Sequence, residues 1–427
     1  MRVESSLRSR FEHGLAAPIC LTWELTYACN LACAHCLSSS GRRDPRELTT
    51  LEAKRLIDEI AAMQIFYVNV GGGEPMVRRD FFEIVEHAVT RRVGVKFSTN
   101  GTRLDAVAAR RLAALDYVDV QVSIDGADAA TSDRLRGDGS YAAARRAMDR
   151  LREAEFGEFK ISVVMTAESI EQLDELEALA AAYGAALRLT RLRPSGRGAR
   201  VWRDLHPTLE QSRRLYRWLV ERPNVHTGDS LFHLSALGSP LEGLNLCGAG
   251  RIVCLIDPVG DVYACPFVIH DDFRAGNVRD AGFGAVWRDS ELFGSLRTPG
   301  GPGACASCGS YDACRGGCMA ARVVRAARSA RAGAAWRRSS SLDSNAPTPI
   351  RSASSATVSV RSNGSASSSD RSPHRTILTR TARRAASPLL RAPGTSGSLA
   401  LRQRGCGGVI VVRIRSGGPA PRATPTP

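Results

Sequence analysis

The sequence contains little lysine and no long apolar run. Only three of its 58 basic residues are lysine, so arginine carries nearly all of its positive charge. No stretch approaches the roughly 20 apolar residues that span a bilayer. The first residues, MRVESSLRSRFEHGL, lack the apolar segment of a secretory signal. These absences predict a cytoplasmic chain with no membrane partner.

The net charge of +15 comes from one end of the chain. Residues 1–321 hold 39 basic and 41 acidic side chains, whereas residues 322–427 hold 19 Arg, two Asp and no Glu. Because phosphate binding needs clustered basic side chains, the near-neutral body predicts no nucleic-acid partner. The arginine-rich, low-complexity segment 322–427 lacks Tyr, Phe, Lys and Glu. It is either a disordered basic tail or an out-of-frame translation of a GC-rich gene.

Short strand-like segments alternate with helical patterns through residues 19–199. The strand candidates are rich in Val, Ile and aromatic residues, and they are Ile19–Leu25, Phe66–Val70, Val93–Ser98, Val118–Ile124, Phe159–Met165 and Ala186–Leu192. The helix candidates show apolar residues at helical spacing, and they are Leu51–Met63, Arg79–Arg91, Asp105–Leu115, Tyr141–Glu153 and Ile170–Ala182. Right-handed crossovers then predict an α/β fold, a partial (β/α)6 barrel. Residues 1–18 precede it, and 200–235 form a helical connector.

Three cysteines follow the first strand candidate in a C-x3-C-x2-C pattern, at Cys29, Cys33 and Cys36. Three thiolates on one short loop can bind three irons of a [4Fe–4S] cluster and leave the fourth iron for a small chelating molecule. Zinc is the alternative, with His35 as a fourth ligand. One ion would have difficulty gathering four ligands that lie so close together in the chain.

Glycine-rich or polar segments follow the next three strand candidates, where the active-site loops of such folds lie. They are Gly71, Gly72, Gly73, Glu74 and Pro75 after the second strand, Ser98 and Asn100 at the third, and Ser123 and Asp125 at the fourth. Glycines let the backbone approach a ligand closely. The order of these segments predicts one binding site at the mouth of the barrel.

Residues 236–321 are rich in Cys and Gly and show little regular pattern. They contain seven cysteines, namely Cys247, Cys254, Cys265, Cys305, Cys308, Cys314 and Cys318. In a chain with no secretory signal, clustered cysteines favour metal binding over disulfides. A zinc ribbon is one interpretation of this segment.

The cysteine loop, GGGEP, STNG and SIDG together resemble the radical S-adenosylmethionine (SAM) superfamily over residues 18–200. This resemblance implies that Cys29, Cys33 and Cys36 bind a [4Fe–4S] cluster that chelates SAM. It also implies that residues 71–75 contact the SAM amino group, and that Ser123 and Arg136 contact its other polar parts.

The later cysteines resemble the SPASM domain, which carries auxiliary [4Fe–4S] clusters. The resemblance implies that Cys247, Cys254, Cys265 and Cys318 bind one cluster, and that Cys305, Cys308 and Cys314 bind three irons of a second. The family pattern has one further cysteine soon after, whereas here the next is Cys406. One or two auxiliary clusters are therefore expected.

Several longer stretches resemble the mycofactocin maturases, a branch of the SPASM peptide-modifying enzymes. They include LTWELTYAC before the cluster loop, CLIDPVGDVYACP at residues 254–266 and CRGGCMA at 314–320. The resemblance implies oxidative decarboxylation of the C-terminal Tyr of a small precursor peptide, begun by hydrogen abstraction from its β-carbon. The product then joins the neighbouring Val in a lactam.

The expected partners are the precursor peptide, a small peptide-chaperone protein and an electron donor. A chaperone is expected because only about 18 residues precede the first strand, too few for a peptide-recognition domain. Three alternatives stay open. They are a related maturase of the pyrroloquinoline quinone, haem d1 or sulfatase type, a radical SAM enzyme of RNA, and a zinc-stapled binding module. The sequence identifies no catalytic acid or base.

Overall fold

The structure, a computed structural model, describes residues 5–228, 231–241, 243, 245–298, 307–309, 311 and 317–320. One mixed sheet of nine strands organises them, in the order β6-β5-β4-β3-β2-β1-β7-β8-β9. The strands are β1 Cys20–Thr26, β2 Tyr67–Gly72, β3 Gly94–Thr99, β4 Val118–Ser123, β5 Lys160–Met165, β6 Ala186–Arg191, β7 Val253–Ile256, β8 Asp261–Tyr263 and β9 Arg274–Asn277. The tail expected at 322–427 lies outside the described residues.

Within the described residues, twelve α-helices connect and cover these strands. They are α1 Ser5–His13, α2 Thr50–Ala62, α3 Phe81–Thr90, α4 Ala106–Ala113, α5 Ala129–Arg136, α6 Ser140–Glu153, α7 Leu173–Ala182, α8 Gly198–Leu205, α9 Leu209–Val220, α10 Val278–Ala281, α11 Phe283–Asp289 and α12 Glu291–Arg297. In the described part of the chain, every helix is too short or too polar to cross a membrane.

The six predicted βα units are confirmed as β1 to β6, all parallel to their neighbours. Thr49 caps the start of α2, because its side chain accepts the Glu52 N–H while the Glu52 carboxylate accepts the Thr49 N–H. The sequence pattern missed α5, whose eight residues are mostly polar. It is capped by Asp128, whose side chain accepts the Thr131 N–H.

The two faces of the parallel sheet differ in chemistry. Alternate residues such as Leu21, Val68, Phe97 and Val120 belong to the large buried core that the helices cover. The intervening residues on the other face, called here the inner face, are mostly polar. Strand side chains alternate between faces, so this pattern produces a lumen lined by polar groups.

The weak sequence pattern beyond residue 236 gave no indication of the regular structure that the described residues form there. β7 pairs in parallel with β1, with Cys254 opposite Leu21, and β8 and β9 continue the sheet in antiparallel fashion. α11 packs on α2, where the Glu59 carboxylate accepts the Phe283 N–H at 2.6 Å. The short strands and Gly-rich turns of this segment hide its periodicity, because each element spans only three to seven residues.

Candidate functional site

The loop that carries Cys29, Cys33 and Cys36, called here the cluster loop, leaves the carboxyl end of β1 and returns beside it. The thiols of Cys29, Cys33 and Cys36 are half-buried and free of disulfides. They lie within electrostatic range of one another, and burial raises the pKa of the Cys29 thiol to about 11. Such thiols ionise when an electropositive metal binds them. Three free thiols on one loop fit a cluster that needs three protein ligands and keeps one iron open.

Two residues that follow β6, Gly196 and Arg197, contact the backbone of this loop and hold it in place. Arg197, after β6, donates from Nε to the Cys33 carbonyl at 2.9 Å and from its guanidinium to the Ser40 carbonyl at 2.7 Å. Gly196 has φ +54°, and a Cβ there would lie 2.4 Å from the Leu37 carbonyl oxygen. The chain therefore needs glycine at this crossing.

Three buried ionisable side chains lie close together beneath the loop. Asp125 is fully buried at the end of β4, and its Oδ2 lies 3.0 Å from His35 Nε2 and 2.6 Å from Arg136 Nε. Its other oxygen accepts the Val164 N–H at 2.8 Å. Burial would raise the pKa of Asp125, but Arg136 and His35 hold it well below its usual range. Asp125 and Arg136, predicted as SAM contacts, thus bind each other in this structure.

The glycine loop, Gly71–Gly73, lies at the carboxyl end of β2 and approaches the cluster loop closely. A Cβ at Gly73 would lie 1.9 Å from the Ala28 carbonyl oxygen, and Gly72 has φ +102° with Thr26 O at 2.6 Å from such a Cβ. Gly73 N donates to Thr26 O at 2.7 Å. Gly71 differs, because a Cβ there would meet nothing within 4 Å. The open side of the loop is therefore at Gly71.

Glu74 joins the glycine loop to the loop after β3. Its carboxylate is buried and accepts the Thr99 hydroxyl at 2.9 Å, the Asn100 N–H at 2.7 Å and the Met76 N–H at 3.2 Å. Burial raises the pKa of Glu74 to about 7 against these hydrogen bonds, which lower it. Asn100 in turn donates to Asn30 of the cluster loop at 3.0 Å. Pro75 follows as the first residue of a short 3-10 helix.

Ser98 and Ser123 lie at the carboxyl ends of β3 and β4 on the inner face, where both side chains are partly exposed. Below the Gly71–Gly73 loop lies Glu24 of β1, which sequence reasoning missed. Glu24 is buried, accepts a hydrogen bond from Ser38, and burial raises its pKa to about 7. Its position among apolar residues in a strand was the available signal.

Tyr27 and Asp257 connect the cluster loop to the segment that carries the later cysteines. The Tyr27 hydroxyl donates to Asp257 Oδ2 at 2.8 Å, and the other oxygen accepts the Val259 and Asp261 N–H groups. Burial raises the pKa of Asp257 to about 6. Asp257 lies in the turn between β7 and β8, so this turn positions the cluster loop.

Four of the later cysteines lie near one another. Cys254 and Cys318 are buried, and Cys247 and Cys265 are partly buried. Cys265 lies within electrostatic range of Cys247 and Cys318, and Cys254 within range of Cys265. These free thiols fit one auxiliary cluster. Cys308 is exposed, while Cys305 and Cys314 lie outside the described residues.

Arg193, just beyond β6, contacts this group of cysteines. It is 5% exposed and donates to Cys318 Sγ at 3.6 Å, and its guanidinium lies 4.1 Å from the centre of the Phe267 ring. Arg193 therefore connects these cysteines to the segment that follows the last strand of the barrel. Arg193 was absent from the predicted site, since nothing in its local sequence distinguishes it from the many surface arginines.

Two family models match these two regions. The radical SAM superfamily model matches residues 23–180, and the model of an iron–sulfur cluster-binding domain, SPASM, matches residues 247–309. The mycofactocin maturase MftC of Mycolicibacterium smegmatis is 66% identical over 320 residues, which cover 74% of this chain and 82% of that protein.

The chain belongs to the mycofactocin maturase family. The MftC protein of Mycobacterium tuberculosis is 63% identical, again over 74% of this chain and 82% of its own length. An AdoMet-dependent heme synthase of Methanosarcina barkeri is only 32% identical, over 70% of this chain and 91% of its own length. The mycofactocin maturases are therefore much closer relatives than the heme synthases.

Solved structures agree on the fold. Streptococcus suis SuiB bound to its precursor peptide SuiA matches with a TM-score of 0.59 at 18% identity, over 73% of this chain and 74% of SuiB. AdoMet-bound anSMEcpe matches with a TM-score of 0.56 at 17% identity, over 71% of this chain and 90% of that one. This chain is a radical SAM and SPASM enzyme of the mycofactocin maturase family, and its two domains are those of proteins that use SAM and iron–sulfur clusters.

Proposed function

We propose that this maturase oxidatively decarboxylates the C-terminal Tyr of a small precursor peptide and then joins it to the neighbouring Val in a lactam. One observation carries the proposal. The 66% identity to MftC extends over 320 residues and thus spans both the cluster loop and the later cysteines. The peptide-bound SuiB structure, which shares the fold, supports a peptide as the substrate class.

We assign the SAM-binding cluster to Cys29, Cys33 and Cys36. When bound, the reduced cluster and SAM supply a carbon radical that removes a hydrogen atom from the substrate. The chain's own residues position this chemistry. Glu74 fixes the glycine loop against the cluster loop through Asn100. The open side at Gly71 and the partly exposed side chains of Ser98 and Ser123 then provide polar groups for SAM.

In the proposed first step, the tyrosine loses a hydrogen atom from its β-carbon, one electron, and its carboxyl group as carbon dioxide. A carbon–carbon double bond next to the peptide nitrogen remains. The hydrogen atom goes to the 5′-carbon released from SAM. The electron needs an acceptor, which we assign to the auxiliary cluster region. In the proposed second step, the β-carbon of Val would lose a hydrogen atom to a second 5′-carbon released from SAM and bond to the alkene carbon next to the peptide nitrogen. The benzylic carbon would then take up one electron and one proton, so that the lactam is an isomer of the decarboxylated peptide.

We propose that Cys247, Cys254, Cys265 and Cys318 bind one auxiliary cluster. The proximity of Cys247, Cys265 and Cys318 to one another, and of Cys254 to Cys265, supports this set. Cys308, with Cys305 and Cys314, would provide three ligands for a second cluster. Arg193, against Cys318, would favour the more negative, reduced state of the first auxiliary cluster.

A small peptide-chaperone protein and an external electron donor complete the proposed system. The chaperone would present the precursor peptide to the barrel mouth. Its role is tested by titrating labelled precursor peptide with the enzyme in the presence and absence of the chaperone. Equal affinity in both titrations would remove the chaperone from the proposal.

The proposed reaction is tested with anaerobically reconstituted enzyme, SAM, a reductant, the peptide-chaperone protein and a synthetic precursor peptide ending in Val-Tyr. The peptide should lose the mass of carbon dioxide plus two hydrogen atoms, and 5′-deoxyadenosine should accumulate with it. The Cys33→Ala variant is the matched control and should leave the peptide unchanged. A wild-type enzyme that cleaves SAM but never changes the mass of this peptide would overturn the proposal.

A further inference from the structure

The inner face of the barrel carries an excess of positive charge in the amino-terminal halves of its strands. Lys96 of β3, Lys160 of β5 and Arg188 of β6 point onto this face beside Asp119 of β4. Strand register places Lys96 opposite Asp119. We call these four residues, together with His226, the lumen cluster.

In the described part of the chain, the Asp119 carboxylate is the one counter-ion that lies close to these cations. Asp119 Oδ2 lies 2.6 Å from Lys160 Nζ and 3.6 Å from Lys96 Nζ. Arg188 donates to the Ser162 hydroxyl at 3.2 Å, a neutral partner. Three permanent cations therefore face one anion, and the lumen cluster keeps a surplus of about two positive charges at neutral pH.

These cations are largely removed from water. The Lys160 side chain is 8% exposed and that of Lys96 is 28% exposed. Burial lowers the pKa of Lys96 and Arg188, and their mutual repulsion lowers that of Lys96 further. Burial and the neighbouring Lys160, Lys96 and Arg188 also lower the pKa of His226. Lys160 is buried and paired with Asp119, whereas Lys96 and Arg188 are half-buried and share that one carboxylate. Half-buried cations that outnumber their counter-ions lower the stability of the fold, which points to a ligand that supplies the missing negative charge.

We propose that the lumen cluster binds the C-terminal carboxylate of the precursor peptide, an inference that rests on the proposed function. The cluster loop and the glycine loop lie at the carboxyl ends of the strands, whereas Lys96, Lys160 and Arg188 lie deeper on the same face. A peptide that enters past those loops reaches the lumen cluster with a chain end. The cations repel an amino terminus and attract a carboxyl terminus.

The proposed contact explains how the reacting atom is placed. The β-carbon of a C-terminal residue is two bonds from its carboxyl carbon. A carboxylate held by Lys96 and Arg188 therefore restricts the β-carbon to the space between these cations and the strand ends. Lys96 also lies 5.2 Å from the centre of the Tyr67 ring, which limits the movement of its ammonium group.

The test compares two synthetic precursor peptides, one ending in a free carboxylate and one in a carboxamide. Binding to the SAM-loaded holoenzyme is measured by fluorescence anisotropy. The wild-type enzyme should prefer the free acid by at least about tenfold, the expected range for a charge-assisted contact. Arg188→Gln and Lys96→Met should each reduce this preference toward unity, and Arg188→Lys should retain most of it.

Lys54→Met is the matched control, since Lys54 pairs with Glu83 on the outer helices, and it should keep the wild-type preference. Peptide-independent SAM cleavage reports whether each variant remains assembled. If wild-type enzyme modifies the free-acid peptide but binds acid and amide equally, only this inference fails. It also fails if assembled Arg188→Gln and Lys96→Met keep the wild-type preference. If wild-type enzyme supplied with the peptide-chaperone protein neither binds nor modifies either peptide, the proposed function fails as well.

Discussion

His35 Nε2 and Asp125 Oδ2 lie 3.0 Å apart in the buried space between the cluster loop and the end of β4. Arg136, at the end of α5, approaches the same oxygen at 2.6 Å. The loop that carries the three cysteines is therefore joined to two elements of the barrel through one carboxylate. This arrangement makes Asp125 a positioning residue for the cluster loop.

Replacing Asp125 with Asn should destabilise both the fold and the cluster. The change leaves the Arg136 guanidinium buried without its counter-ion, at a cost of about 3–5 kcal/mol in the free energy of unfolding. Iron content after reconstitution should fall, as measured per chain by a colorimetric assay. Asp116→Asn, at an exposed site, should change neither quantity. Normal iron content in Asp125→Asn would refute the positioning role.

Alanine at Gly73 and at Gly71 should have different consequences. Gly73→Ala places a Cβ 1.9 Å from the Ala28 carbonyl oxygen, so the cluster loop must move, and both iron content and SAM binding should drop. Gly71→Ala meets nothing within 4 Å and should keep its iron. Equilibrium dialysis with labelled SAM should nevertheless show weaker binding in Gly71→Ala if the open side of this loop contacts SAM. Unchanged SAM affinity in this variant would remove Gly71 from the SAM site.

Glu24 should make the enzyme less stable as the pH rises from about 4.5 to 7. Burial raises its pKa to about 7 in the folded protein, so the unfolded chain loses the Glu24 proton first and gains relative stability across this window. The contribution is about 3 kcal/mol. Unfolding free energies from pH 5 to 8 should decline less in Glu24→Gln than in wild type. The exposed variant Glu158→Gln should follow the wild-type curve, and a Glu24→Gln curve parallel to wild type would contradict the prediction.

Cys318→Ser and Cys308→Ser should differ in cluster content. Cys318 is buried beside Cys247, Cys265 and Arg193, so its loss should remove up to about four irons per chain, one full cluster. Cys308 is exposed, and its loss should affect only the second auxiliary cluster. Iron and sulfide analysis with electron paramagnetic resonance distinguishes the two cases. Equal losses in both variants would contradict the proposed ligand sets.

The sequence predicted the barrel well because its signals are local. Short runs rich in Val, Ile and aromatic residues located β1 to β6 within two residues of their ends, and apolar residues at helical spacing located α2 within one residue. It missed β7, because four residues cannot show periodicity. The parallel pairing of Cys254 with Leu21 joins parts of the chain more than 230 residues apart.

The roles of individual site residues were harder to anticipate than their location. The sequence placed Glu74, Asp125 and Arg136 near the barrel mouth. It could not indicate that the carboxylate oxygens of Glu74 accept hydrogen bonds from protein groups, or that those of Asp125 contact the Val164 N–H and the Arg136 guanidinium. The lumen cluster could not be predicted from the sequence for a related reason. Lys96, Lys160 and Arg188 look like isolated surface cations in separate segments until the strand register brings them together.

The transfer of deuterium from substrate to 5′-deoxyadenosine shows whether the enzyme removes a hydrogen atom from the β-carbon of the C-terminal Tyr. The wild-type holoenzyme would be incubated with SAM, a reductant and a precursor peptide deuterated at the β-carbon of its C-terminal Tyr. We expect 5′-deoxyadenosine with one deuterium, formed together with the decarboxylated peptide. Decarboxylated peptide accompanied only by unlabelled 5′-deoxyadenosine would contradict this expectation.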